Sequence, residues 1–152
     1  MTSPGDVALL NDPVAQELLV SAIPARLAYT WTDHTPRVVP INFRWTGDEI
    51  AMGTPPRAPK LKALAANPRV AITIDGNTFP YKVLLIRGEA RVEMKDDVDP
   101  DYALAAERYL GEEAGRAWVA QLRGQPMARI AVQPDWAAVL DFETRFPSAL
   151  TA

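Results

Sequence analysis

Residues 37 to 75, RVVPINFRWTGDEIAMGTPPRAPKLKALAANPRVAITID, decide how the chain folds. From Val38 to Trp45 the apolar residues Val39, Ile41, Phe43 and Trp45 alternate with Val38, Pro40, Asn42 and Arg44, the period-two pattern of a strand with one buried side. Thr46-Gly47-Asp48 supplies a turn, and Glu49 to Thr54 returns with Ile50 and Met52 inward, so the pair reads as a hairpin. Pro59 suits the first turn of a helix, where an absent N–H costs nothing. Leu61, Leu64 and Ala65 give that helix its inward stripe, and Asn67-Pro68 stops it. Val70, Ile72 and Ile74 then alternate with Ala71 and Thr73 in another strand, closed by the turn signal Asp75-Gly76-Asn77.

Between the hairpin and the helix stand Thr54, Arg57, Lys60 and Lys62. Free amides at a helix start, with a hydroxyl and two or three cations beside them, make a receptor for a phosphate. The same cations would serve equally as the solvated charge of a surface loop.

Working outward, Met1 to residue 11 reads as a flexible tail, 12–146 as one domain and 147–152 as a second tail. Asp12 caps a helix with Pro13 in its first turn, and Val14, Leu18, Leu19 and Ala22 form its stripe as far as Pro24. Arg26 to Trp31 is a strand that pairs with Val38 to Trp45 across a turn holding His34. The longest strand runs from Tyr81 to Glu93, and Gly88 within it predicts a bulge that would help curl the sheet. Asp99-Pro100 opens a helix ended by Gly111, and a second helix with Trp118, Val119 and Leu122 ends at Gly124. Two such helices would plug a barrel end or lie beside a ligand entrance. Met127 to Gln133 and Trp136 to Phe142 complete the set as two strands separated by Pro134-Asp135. Six or seven strands joined mostly by short turns predict a mainly β protein with short helices, an antiparallel barrel whose closure removes exposed edges.

Composition narrows the chemistry. The chain has 152 residues and a net charge of −3, which suits one domain and argues against a nucleic-acid binder or a basic membrane-surface protein. No apolar run approaches the ~20 residues of a membrane span, and no signal peptide is evident, so the expected compartment is the cytoplasm. With no cysteine there are no disulfides, thiolate metal sites or thiol nucleophiles. The single histidine, His34, rules out a multi-histidine metal centre. Serines occur only at Ser3, Ser21 and Ser148, none in a G-x-S-x-G turn. No Walker loop and no G-x-G-x-x-G is present, and the acidic pairs Asp96-Asp97 and Glu112-Glu113 read as charged surface. No residue stands out as a catalytic acid, base or nucleophile, and no metal is expected.

The order P-x-N-F strand, hairpin, Thr at the end of its second strand, Lys near a helix start and N-P-R-V opening the next strand resembles the pyridoxamine 5'-phosphate oxidase-like family of flavin-binding split barrels. The resemblance runs from about Pro13 to Phe142. It implies an antiparallel split β-barrel of the FMN-binding type, a homodimer with the cofactor at the subunit interface, and an oxidoreductase acting on a small organic substrate. By position it places Thr54 and Lys60 on the phosphate of FMN or of the deazaflavin F-420, with Arg57 and Lys62 beside them. Pro40, Ile41 and Asn42 fall on the strand along the ring. Lys82 falls where the family reaches the flavin from the second subunit, with surface solvation the commoner role for such a lysine. Trp136 falls near the ring, or is simply core. Where the oxidase has Ser-Arg-Lys, this chain has Ala58-Pro59-Lys60, one Arg fewer, with Arg57 the candidate to replace it, so the resemblance is to the broad family and does not extend to vitamin B6 oxidation itself. FMN needs only a compact pocket, whereas the acidic tail of F-420 would call on further cations such as Arg57, Lys62 and Arg69; FMN is the first expectation and F-420 the alternative. A non-catalytic barrel that stores or senses a flavin or another small ligand is the rival reading, and haem binding through His34 a third.

Overall fold

The computed structural model describes residues 3–145. A 3-10 turn at Val7–Asn11 leads into α1 (Pro13–Leu19), then β1 (Ala25–Thr30), β2 (Pro36–Ile41), β3 (Phe43–Trp45) and β4 (Ile50–Thr54). After α2 (Pro59–Ala66) come β5 (Arg69–Asp75) and β6 (Lys82–Lys95). The helices α3 (Pro100–Leu110) and α4 (Glu112–Leu122) precede the last strand, β7 (Met127–Asp141). All seven strands form one antiparallel sheet in the order β2-β1-β5-β6-β7-β4-β3.

The alternation forecast for the first strand is present, but one strand has become two. Val39, Ile41 and Trp45 all pack on the core with Phe43, while β2 pairs with β1 and β3 pairs with β4 at opposite edges of the sheet. The chain changes partner at Asn42 without losing its pleat. No ladder joins β2 to β3 among the described residues, so the expected closed barrel is an open, curled sheet whose two edge strands are consecutive in sequence.

The strongest departure lies at the other end of the chain. Pro134-Asp135 predicts a turn, yet β7 runs unbroken from Met127 to Asp141 against β6. Arg87 pairs with Trp136 and Gly88 with Pro134, which leaves Asp135 as the extra residue of a bulge. A bulge tolerates a proline that a regular ladder would reject. The irregularity is at Gly88, as the sequence suggests, and a Cβ there would stand 2.6 Å from the Gln133 carbonyl oxygen.

The core lies inside the curl and includes Leu27, Phe43, Ile50, Ile72, Ile74, Leu84, Ile86, Ile130 and Val132. Asp12 caps α1 by accepting from the Val14 amide at 2.9 Å, and Val14, Ala15, Leu18 and Leu19 are buried. This helix is shorter than expected. The Ser21 hydroxyl donates to the Leu18 carbonyl at 2.7 Å and accepts from the Ile23 amide at 3.3 Å, turning the chain so that Ala22 faces solvent. Part of the expected N-terminal tail is ordered structure: Leu9 and Leu10 of the 3-10 turn are buried, and the Gly5 amide donates to the Ala137 carbonyl at 2.8 Å. The expected C-terminal tail, 147–152, lies outside the described residues.

Of the two helices α3 and α4, only the end of α3 reaches the main core, through Tyr109. Both lie on the outer face of β4 and β7, where Val98, Ala106, Val119 and Met127 make a second apolar cluster. Gly111, at φ +92, turns one helix into the next, and a Cβ at Gly115 would come within 2.5 Å of the Glu107 backbone. No helix among the described residues is long and apolar enough to cross a membrane.

Candidate functional site

Thr54 closes β4 and is buried, at 6% exposure. Six residues later, the first turn of α2 brings the Lys60 Nζ to 2.9 Å from the Thr54 Oγ1, to which it donates. The sequence makes this contact: Pro55-Pro56 stiffens the connection, and Pro59 sets the start of the helix. Ala58 at the N-cap offers no side-chain acceptor, Pro59 has no N–H, and the Leu61 amide donates to the Ala58 carbonyl at 3.0 Å, so the Lys60 amide is the first-turn donor left for solvent or a ligand.

Burial holds the Lys60 ammonium below the usual lysine pKa, because a cation loses hydration as it enters the protein. No carboxylate pairs with Lys60, Arg57 or Lys62 among the described residues; Arg57 and Lys62 are exposed at the same corner. A half-buried, singly hydrogen-bonded cation beside an uncapped helix start is a receptor for an anion with several acceptor oxygens. Phosphate fits that donor set.

Asn42 is exposed and Ile41 half-buried at the point where β2 parts from β3, with Pro40 exposed beside them. Phe43 pairs with Met52, and that register carried two steps further would set Asn42 and Ile41 against Gly53 and Thr54. The strand segment and the cation corner are therefore neighbours.

Two expected residues are not brought there within one chain. Lys82 pairs with Asp141, whereas Met94 is the β6 residue opposite Ala128, itself opposite Thr54. At about 3.3 Å per residue this is roughly 40 Å of strand. Lys82 donates to Glu17 at 2.8 Å, a contact that raises its pKa. Trp136 also lies well up β7, where the Arg87 guanidinium stacks 3.7 Å from its ring centroid and Gly5 packs against its indole. Any part for these two at the Thr54 corner requires a second copy of the chain.

What the sequence reading missed is the other side of Thr54. A cavity of about 210 Å³ opens between β4 and the helix pair, walled by Tyr102, Trp118 and Leu122 and floored by Gly53, Thr54 and Met127. The Trp118 Nε1 donates to the Tyr102 hydroxyl at 2.9 Å. Tyr102 packs so closely on Gly53 that a Cβ there would fall 2.4 Å from its ring. The glycine before Thr54 was the available signal, but its meaning depends on a helix some fifty residues away in sequence. Among the described residues no group of three or more metal-ligating side chains occurs.

Fold and site together define a mainly antiparallel β protein with a cationic corner at the start of α2. Residues 12–140 match the family model described as Pyridoxamine 5'-phosphate oxidase, and the chain belongs to that family. Among solved structures, one named F420 reductase is 24% identical, covering 81% of this chain and 94% of its own, with a TM-score of 0.62. A conserved hypothetical protein of Mycobacterium tuberculosis is 20% identical over 83% of this chain and 81% of its own, with a TM-score of 0.64. General stress protein 26 of Bacillus anthracis is 13% identical over 86% and 94%, with a TM-score of 0.63. At these identities the structural likenesses establish the fold. Comparison of the sequence with curated proteins gives no significant match.

Proposed function

We propose that the protein is an oxidoreductase that binds a flavin-type cofactor non-covalently and uses it on a small organic substrate. The observation that carries this reading is the Lys60–Thr54 contact of 2.9 Å at an uncapped helix start. When bound, the cofactor's ring supplies the redox chemistry. The chain's own task is to hold and orient it. Thr54 and the side chain and amide of Lys60 anchor the phosphate, Arg57 and Lys62 add attraction from the rim, and the segment Pro40-Ile41-Asn42 borders the ring. Such a task needs no acid–base pair, in keeping with a chain that offers none.

FMN is the first choice. Arg69, one of the cations an F-420 tail would call on, is held in a bidentate pair by Asp135, and Arg57 with Lys62 suffices for one phosphate. The likeness to a structure named F420 reductase supports testing F-420 alongside. A dimer with the cofactor at its interface is part of the proposal, since Lys82 and Trp136 could contribute only from a second copy.

Lys60→Ala is expected to weaken FMN binding by about 1.5–3 kcal/mol, the range for a charge-assisted hydrogen bond, or roughly 10- to 150-fold in Kd. Titration of wild type and variant with FMN and, separately, F-420 checks this; an unchanged Kd for the preferred cofactor removes Lys60 from the site. The pH dependence has a definite sign. Burial lowers the pKa of Lys60, so its positive charge is present below that lowered pKa and lost above it. Affinity is then lost as pH rises through that lowered value, earlier than for an ordinary lysine. Lys60→Ala should abolish this alkaline loss.

A further inference from the structure

We propose that the cavity beside Thr54 is a second, separate ligand site, which takes a neutral, planar, fused-ring molecule carrying a hydrogen-bond acceptor. No Lys, Arg, Asp or Glu lines it, so nothing there neutralises a charged guest; this sets it apart from the cation corner across Thr54. Its walls are the rings of Tyr102 and Trp118, and Pro55, Pro56 and Pro126 stiffen its rim. A cavity of about 150 Å³ holds one benzene ring, so one of about 210 Å³ suits a fused pair of rings.

The polar handle is specific. The Tyr102 hydroxyl accepts from the Trp118 indole, and its own hydrogen meets no acceptor among the described residues. It is therefore free to be donated to a guest carbonyl or ring oxygen. The Gln125 amide group is turned to the Gln121 carbonyl at 3.2 Å, and Trp118 is 44% exposed, leaving ring surface uncovered. The walls are also fixed before any guest arrives. Tyr102 seats on Gly53, α3 and α4 touch backbone to backbone at Gly115, and Met127 is held in the second apolar cluster. A preformed pocket spares a ligand the cost of ordering it.

The test uses the full chain labelled with ¹⁵N and titrated with coumarin, a neutral bicyclic lactone. Four indole N–H signals report, from Trp31, Trp45, Trp118 and Trp136, with Trp118→Phe identifying one of them. The Trp118 signal is expected to shift to saturation with a Kd of about 0.1 mM, the affinity of a fragment-sized ligand, while the other three stay in place. Tyr102→Phe, which keeps the ring, should weaken binding about three- to tenfold through the lost hydrogen bond. Leu122→Trp should abolish it by filling the space. Lys60→Ala and added inorganic phosphate should leave coumarin binding unchanged. A common, non-saturating drift of all four indoles overturns the proposal, as does full affinity in both pocket variants. Loss of coumarin binding in Lys60→Ala would overturn the separateness of the two sites. Because FMN and coumarin are read in separate titrations, failure of either leaves the other result standing.

Discussion

Arg129→Ala is expected to lower the free energy of unfolding by about 3–5 kcal/mol, the cost of leaving a buried carboxylate without its cation. Arg129 projects from the outer face of β7 under the start of α3, its side chain 14% exposed. It reaches Asp101 at 2.9 Å, Asp99 at 3.5 Å and Glu49 at 4.0 Å. These carboxylates are not equally dependent on it. Asp101 keeps Arg44 at 3.0 Å and Glu49 keeps Arg91 at 3.0 Å, but Asp99, whose side chain is 6% exposed, has no other cation among the described residues. Asp99 stands at the N-cap of α3 and makes no side-chain cap there; its carboxylate turns to Arg129 instead. The Arg129 Nη1 is buried without a partner among the described residues, so the network is not fully satisfied there. Removing both charges should therefore cost far less than removing one. Urea unfolding of Arg129→Ala against the double variant Arg129→Met/Asp99→Asn checks this. A loss below about 1 kcal/mol for Arg129→Ala would class the network with exposed ion pairs.

Phe43→Ala should cost about as much, 3–5 kcal/mol, and should also weaken the cofactor site. Phe43 is fully buried and follows Asn42 directly. Its ring meets Tyr109 edge-on at 6.4 Å, and the Arg108 guanidinium lies 4.9 Å from its centroid. The backbone is gripped as firmly. Arg108 donates to the Phe43 carbonyl and to that of Ser21. The Tyr109 hydroxyl accepts from the Phe43 amide at 3.4 Å and donates to the Ile23 carbonyl at 3.0 Å. The end of α3 thus clamps the place where the chain leaves β2 for β3. Thermal unfolding and the FMN titration should move together in Phe43→Ala. Phe43→Leu, which restores most of the volume, should lose less than about 1.5 kcal/mol and recover most of the affinity. Unaltered binding in a destabilised Phe43→Ala would show that the ring does not depend on this segment.

Much of this was readable from local pattern. Pro59 and Asn67 mark the ends of α2, and Val70, Ile72 and Ile74 fall on the buried side of β5 because both depend on neighbours in sequence. The Thr54–Lys60 contact was readable for the same reason: six residues and two proline-stiffened turns separate them. What escaped depends on partners. The alternation from Val39 to Trp45 is identical whichever strand lies alongside, so the exchange at Asn42 leaves no trace in it. Pro134-Asp135 has the chemistry of a turn, and only the opposing Gly88 reveals a bulge. Leu9 and Leu10 sit in a polar stretch that gives no period, yet β7 supplies them with a surface. Tyr102 and Trp118 read simply as the apolar side of two helices; that side closes a cavity because it meets a glycine.

The exchange at Asn42 has a mechanical side. A closed barrel is fastened by a row of hydrogen bonds that can slip or fray one at a time. This sheet is more like a bracelet, its first and last links joined by one covalent clasp. Strain on β2 passes straight into β3, and a molecule resting against Asn42 bears on both rims at once. The two rims therefore cannot part by more than the reach of one residue, whatever becomes of the hydrogen bonds on either side.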